Sequence, residues 1–199
     1  MGSSYTDLSN VSGIIRQRRS VKPTFMDPEK PVDATLLDTL LENANWAPTH
    51  GLTEPWRFTV FTGSARQKLA GFLQGLYQVL TPTHAFKKEK HEKLGRNPLL
   101  APVVLAICMQ RGNNAKIPEL EEVEAVACAV QNLHLSASAA GLGGFWSTPP
   151  ILSSAEMRAF LGLGDKDACL GLFYLGWPKE GVTLPESRRS PMSDKVTWF

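Results

Sequence analysis

Only three cysteines occur among the 199 residues, Cys108, Cys128 and Cys169, far apart and each in apolar surroundings. That excludes a disulfide framework or a CxxC motif and makes the three small core residues of a reducing compartment. Long apolar runs are missing as well. No stretch approaches the roughly 20 apolar residues of a membrane span. Met1-Gly2-Ser3-Ser4-Tyr5 is too polar for the core of a signal peptide, so the expected location is cytoplasmic. Neither sign of charge dominates: a formal net charge of +2 is too small to suggest a nucleic-acid partner. His50, His84, His91 and His134 lack metal-ligand spacing, and no HExxH, GxSxG or P-loop is present, so no metal is expected. No carboxylate pair is placed for acid–base work, and there is no internal repeat. An enzyme with this sequence must draw its reactive atoms from a cofactor.

What is present is an ordinary globular composition, 43% apolar and 20% charged, long enough to bury a real core as one domain. The patterning predicts helices over residues 10–19 and 34–47. Asp33 caps the second, and Leu36, Leu37, Leu40, Leu41 and Ala44 form its apolar stripe. Residues 56–61 alternate as a strand, and Ser64 with Gln67 gives a capping-box signature for a helix carrying Leu69, Phe72, Leu73, Leu76 and Leu80. Residues 84–96 are rich in Lys and Glu and read as a solvated helix or a mobile flap. Residues 101–109 and 169–175 read as buried strands. Between them lies the longest helix, 119–140, acidic at its start and apolar nearly all round from Ala125, which suits the middle of a protein or of a dimer. Gly141-Leu142-Gly143-Gly144 stops it and opens a loop, and Ser153 or Ser154 starts a short helix. Strands and helices mix without a βαβ rhythm, so the expected class is α+β. The expected organisation is a tail over 1–13 and one domain over 14–199. Residues 178–199 form a C-terminal arm whose Trp198-Phe199 end packs onto something, such as a second subunit.

Four stretches can carry chemistry. Arg16-Gln17-Arg18-Arg19-Ser20 offers guanidinium forks and a hydroxyl suited to phosphate oxygens, or simply a basic helix end favoured by the dipole. Trp46 to Phe58 frames His50 with two tryptophans and two prolines, either a ligand-lining loop or a structural one. Gly141 to Pro150 lets a ligand approach the backbone or serves as a plain helix stop. It follows a helix rather than a strand, which excludes a dinucleotide-binding fingerprint. Arg188-Arg189-Ser190-Pro191 can close over an anion or lie in a solvated tail.

Together these pieces resemble the nitroreductase family of FMN-dependent oxidoreductases. Arg18-Arg19-Ser20, Ala47-Pro48 with Pro55-Trp56-Arg57-Phe58, the Gly141-Leu142-Gly143 helix end and Arg189-Ser190-Pro191 occur in the family's order over nearly the whole chain. Thr49-His50-Gly51 is similar to the Asp-His-Gly of the small single-domain members. The resemblance implies a mixed central sheet flanked by helices and a homodimer with exchanged C-terminal arms and FMN at the interface. It implies Arg18, Arg19 and Ser20 on the flavin phosphate and ribityl chain, and Trp46 and His50 reaching the flavin, partly from the second subunit. Trp146, Ser147 and Thr148 would lie against the ring and Arg189 on the phosphate. The implied activity is NAD(P)H-dependent reduction of nitroaromatics, quinones or similar flat electrophiles, with NADH or NADPH as donor. Dehalogenation, flavin degradation and a non-catalytic flavin carrier are the alternatives. Two departures stand out. The family's flavin-contacting Asn is absent from the Leu52-Thr53-Glu54 run, and an Arg found after the aromatic in the small members is Ser147 here. The phosphate therefore falls more heavily on Arg18, Arg19 and Arg189.

Overall fold

The computed structural model describes residues 8–184 and 186–199. The helices are α1 (Leu8–Gln17), α2 (Ala34–Asn45), α3 (Ala65–Leu80), α4 (Lys88–Arg96), α5 (Glu119–Ala139) and α6 (Ala155–Phe160). The strands are β1 (Trp56–Phe61), β2 (Val103–Met109), β3 (Gly143–Ser147) and β4 (Ala168–Gly176). They pair in the order β1-β2-β4-β3, every pair antiparallel, and the parallel component is the bridge between Ser20 and Gly144. This is the α+β arrangement expected.

Side chains alternate across the sheet and build one apolar layer on each face. Val104, Ala106, Cys108, Leu172 and Tyr174 face α3, with Leu69, Leu73 and Leu76. Val103, Leu105, Ile107, Phe173 and Leu175 face α2 and α5, with Leu40, Val126, Ala129 and Leu133. β2 is buried along its whole length, as its unbroken apolar run demands. Asp33 caps α2 through Oδ1, which accepts from Thr35 N at 2.9 Å and Leu36 N at 3.2 Å.

Several expectations change. β3 was expected as loop, because two glycines open it and glycine is depleted in strands. It is held by pairing with β4. Ser64 sits in helical conformation and makes no side-chain cap, so the capping box does not form. Of the two readings for the 84–96 segment the helix is the one seen, α4, though not a wholly solvated one: Leu94 and Gly95 are buried, and Lys87 N donates to Tyr77 Oη at 3.1 Å. Cys128 is exposed, because α5 buries the stripe of Ala125, Val126, Ala129, Val130, Leu133, His134 and Ala137 and turns position 128 away from it. Helix α1 begins at Leu8, inside the expected 1–13 tail, whose first seven residues lie outside the described ones. Among the described residues no helix is long and apolar enough to cross a membrane.

At the start of α5 a buried polar knot pins the 110–118 connection. Glu122 accepts from Gly112 N at 2.9 Å and from the Arg111 guanidinium, which also donates to Ile117 O at 3.1 Å. Arg111 N donates to Asp167 Oδ1 at 2.9 Å, tying this connection to the turn before β4.

Candidate functional site

The arginine segment follows α1 and runs along the edge of β3. Val21 N donates to Gly144 O at 2.9 Å, and Ser20 forms the parallel bridge to Gly144. This approach requires glycine at 143, and the side chains packed beside it require glycine at 144. A Cβ on Gly143 would stand 2.6 Å from Val21 Cβ, and one on Gly144 would stand 2.4 Å from Phe173 Cζ. Gly143 thus lets the backbone after the arginines lie directly on the sheet, while Gly144 leaves room for Phe173 and His134.

Arg18 and Arg19 are half-buried there. Burial lowers the Arg18 pKa first, followed by the positive charges of Arg189 and Arg19. The C-terminal arm therefore brings Arg189 within electrostatic range of Arg18, although 171 positions separate them in sequence. Arg189 itself donates to Ser187 Oγ at 2.7 Å and Arg188 O at 2.8 Å. Arg19 donates to Arg16 O at 2.5 Å and Arg18 O at 3.1 Å. Like charges within range of one another repel, and an anion placed between them would offset that repulsion.

His134 is the residue here that sequence reasoning missed. Its one signal was a lone histidine within the apolar part of α5. The ring is buried, packs edge-on against Phe173, and donates from Nε2 to Arg19 O at 3.1 Å. Burial, reinforced by the charge of Arg18, lowers its pKa to about 4, while hydrogen bonds to the backbone of Arg19 and Gly144 push weakly the other way. The unfolded chain, with an ordinary value near 6.5, takes up this proton first as pH falls. Stability should therefore be full above about 6.5 and decline toward pH 4, by about 3 kcal/mol for this group. His134→Gln keeps a donor for Arg19 O and cannot titrate. Urea unfolding at pH 7 and pH 5 should show a smaller loss in this variant than in the parent, and equal losses would remove His134 as the source.

At the other end of β3, a cavity of about 460 Å³ is lined by Ser147, Thr148, Pro149, Tyr174, Leu94, Asn97 and lysines of the α4 region. The three residues from Gly144 to Ser147 place the two ends of the site about 10 Å apart. Ser147 and Thr148 line this cavity, but Trp146 does not. Strand alternation turns the indole to the opposite face, where Nε1 donates to Leu170 O at 3.2 Å.

Trp46 and His50 lie apart from both the arginines and the cavity. Trp46 is 79% exposed, with Nε1 donating to Glu42 Oε1 at 3.0 Å. His50 Nδ1 meets Glu121 Oε2 of α5 at 2.5 Å. Their loop is strained: Gly51, Leu52 and Glu54 all have positive φ, costing of order 1–3 kcal/mol at each non-glycine residue. Leu52, which stands where the family's Asn was expected, is 81% exposed. Among the described residues no group of three metal-ligating side chains converges.

The model of the Nitroreductase family matches residues 15–177, which takes in the end of α1, Arg18 and Arg19, the sheet and the cavity. The chain belongs to the nitroreductase family. A relative from Bacillus subtilis (strain 168), YfhC, named among the NAD(P)H nitroreductases, is 30% identical over 187 residues, covering 92% of this chain and 91% of its own. The crystal structure of the nitroreductase-like family protein from Bacillus cereus superposes with a TM-score of 0.78 at 27% identity, covering 100% of this chain and 99% of that one. A nitroreductase with bound FMN from Bacteroides fragilis has the same fold, with a TM-score of 0.73 at 23% identity and 95% and 98% coverage. The family match ends at Trp177, so Arg189 lies beyond it.

Proposed function

We propose that this nitroreductase-family chain is an FMN-dependent oxidoreductase that uses NADH or NADPH to reduce nitroaromatics, quinones or similar flat electrophiles. The observation that carries the reading is the self-repelling cluster of Arg18, Arg19 and Arg189 at one end of β3, with an open cavity at the other. FMN carries a doubly charged phosphate, a polar chain and a flat ring, in that order. The arginines would hold the phosphate, Ser20 would face the ribityl chain, and Ser147 and Thr148 would meet the ring. When bound, FMN supplies hydride acceptance and donation. The chain's own part is to bind, orient and exclude water. Burial raises the Tyr174 pKa and keeps its phenol neutral beside the cavity, and no side chain has to act as an obligatory acid or base. Donor and oxidant would take turns in the same cavity.

The working unit in this proposal is a homodimer. Helix α1 carries Leu8, Val11 and Ile15 in the open, and Val11 and Ile15 border an apolar groove of about 390 Å³ between α1, α2 and α5. The exposed Trp198 and Phe199 end an arm that would cross to the second subunit. Trp46 and His50, remote from the arginines of their own chain, would then reach the flavin of the other.

The purified protein should be yellow. NADPH should bleach it without oxygen, and nitrofurazone or a quinone should restore the colour. A yellow protein that neither NADPH nor NADH bleaches would instead be a flavin carrier.

A further inference from the structure

The cavity at the Ser147 end of β3 is chemically one-sided. Lys87, Lys90 and Lys93 line it at i, i+3 spacing, which puts all three on one side of α4 and its N-cap. Glu89 is the one acidic residue among the lining side chains. Lys88, which points elsewhere, has an ion-pair partner in Glu92 at 3.8 Å. Among the described residues none of the three cavity lysines is within ion-pair distance of a carboxylate. Lys90 is half-buried at the cavity's border, where its ammonium stands 5.2 Å from the ring centroid of Tyr77 in the adjoining helix α3. The Asn97 amide and the Ser147 and Thr148 hydroxyls add donors, while Leu94, Pro149 and the Tyr174 ring offer an apolar wall. A flat ring against that wall leaves its substituents among the ammoniums.

We propose that this cavity selects substrates carrying an anionic group, a carboxylate or phosphate, beside the flat ring, with Lys87, Lys90 and Lys93 as the selecting residues. The inference rests on the oxidoreductase reading for what the substrate is, and on the lysines alone for its charge. The anion has two possible sources, the oxidant or the 2′-phosphate of NADPH, and kinetics separates them.

The test begins with binding, which needs no turnover. Titration calorimetry of the purified protein should show benzoate binding about tenfold or more tighter than its neutral isostere benzamide. The preference should vanish in the Lys87→Gln/Lys90→Gln/Lys93→Gln variant and persist in Lys88→Gln. The kcat/KM ratio of 4-nitrobenzoate to 4-nitrobenzamide should then fall about tenfold in the triple variant if the oxidant supplies the anion. A fall in the NADPH to NADH ratio instead assigns the anion to the donor. Equal binding of benzoate and benzamide, or a preference that survives the triple substitution, overturns the proposal. A protein that lacks flavin yet discriminates benzoate from benzamide keeps the lysine site and loses the oxidoreductase reading. A yellow, active protein without discrimination does the reverse.

Discussion

Arg18→Ala should weaken FMN binding by about 10- to 100-fold while leaving the apoprotein as stable as the parent or slightly more so. The loss follows from removing one charge-assisted contact to phosphate, about 1.5–3 kcal/mol. The unchanged stability follows from what Arg18 meets in the folded chain: burial and the like charges of Arg189 and Arg19. Arg18 is the cleaner test of the cluster because Arg19 also bonds the carbonyls of Arg16 and Arg18, so Arg19→Ala loosens the segment as well. Fluorescence titration of apoprotein with FMN, alongside thermal unfolding, reads both effects. If the variant binds FMN like the parent, Arg18 does not face the phosphate. A large drop in apoprotein melting temperature would mean its role is structural.

The second large effect lies away from the site. Glu122→Ala should cost about 3–5 kcal/mol, roughly 10 °C in melting temperature for a chain of this size. Glu122 is 1% exposed and accepts from both Gly112 N and Arg111, so its removal strands a largely buried guanidinium and a backbone N–H. Arg111→Met/Glu122→Leu should recover much of the loss, since an apolar pair of similar volume carries no desolvation penalty. A double variant as unstable as the single one would show that the Gly112 and Ile117 bonds matter more than the ion pair.

Where pattern and packing agree, the fold was legible. The apolar run of β2, the Asp33 cap and the stripe of α2 each had one solution. The sheet order was not legible, nor was β3, because its opening glycines owe their place to what approaches them. Gly143 makes room for Val21, and Gly144 for Phe173 and His134, all distant in sequence. The same holds for His134, which looked like a stray polar residue in an apolar helix until Arg19 O was placed over it. Long-range approach of this kind leaves no periodic trace. Among the site candidates, the sequence marked the arginine segment by composition, and the family resemblance marked the Ser147-Thr148 stretch. It did not show that Trp146 faces away from the cavity or that Lys87, Lys90 and Lys93 face into it. The density of Lys and Glu over 84–96 hid a one-sided arrangement that appears only when α4 is packed against α3.

The central claim is that the guanidiniums of Arg18, Arg19 and Arg189 exist to hold the phosphate of a flavin nucleotide. Its most direct test compares FMN with riboflavin, identical but for that phosphate, on the wild-type apoprotein. FMN should bind at least about 100-fold more tightly at low salt, with the gap narrowing as ionic strength rises. Equal affinity for the two flavins would contradict the account.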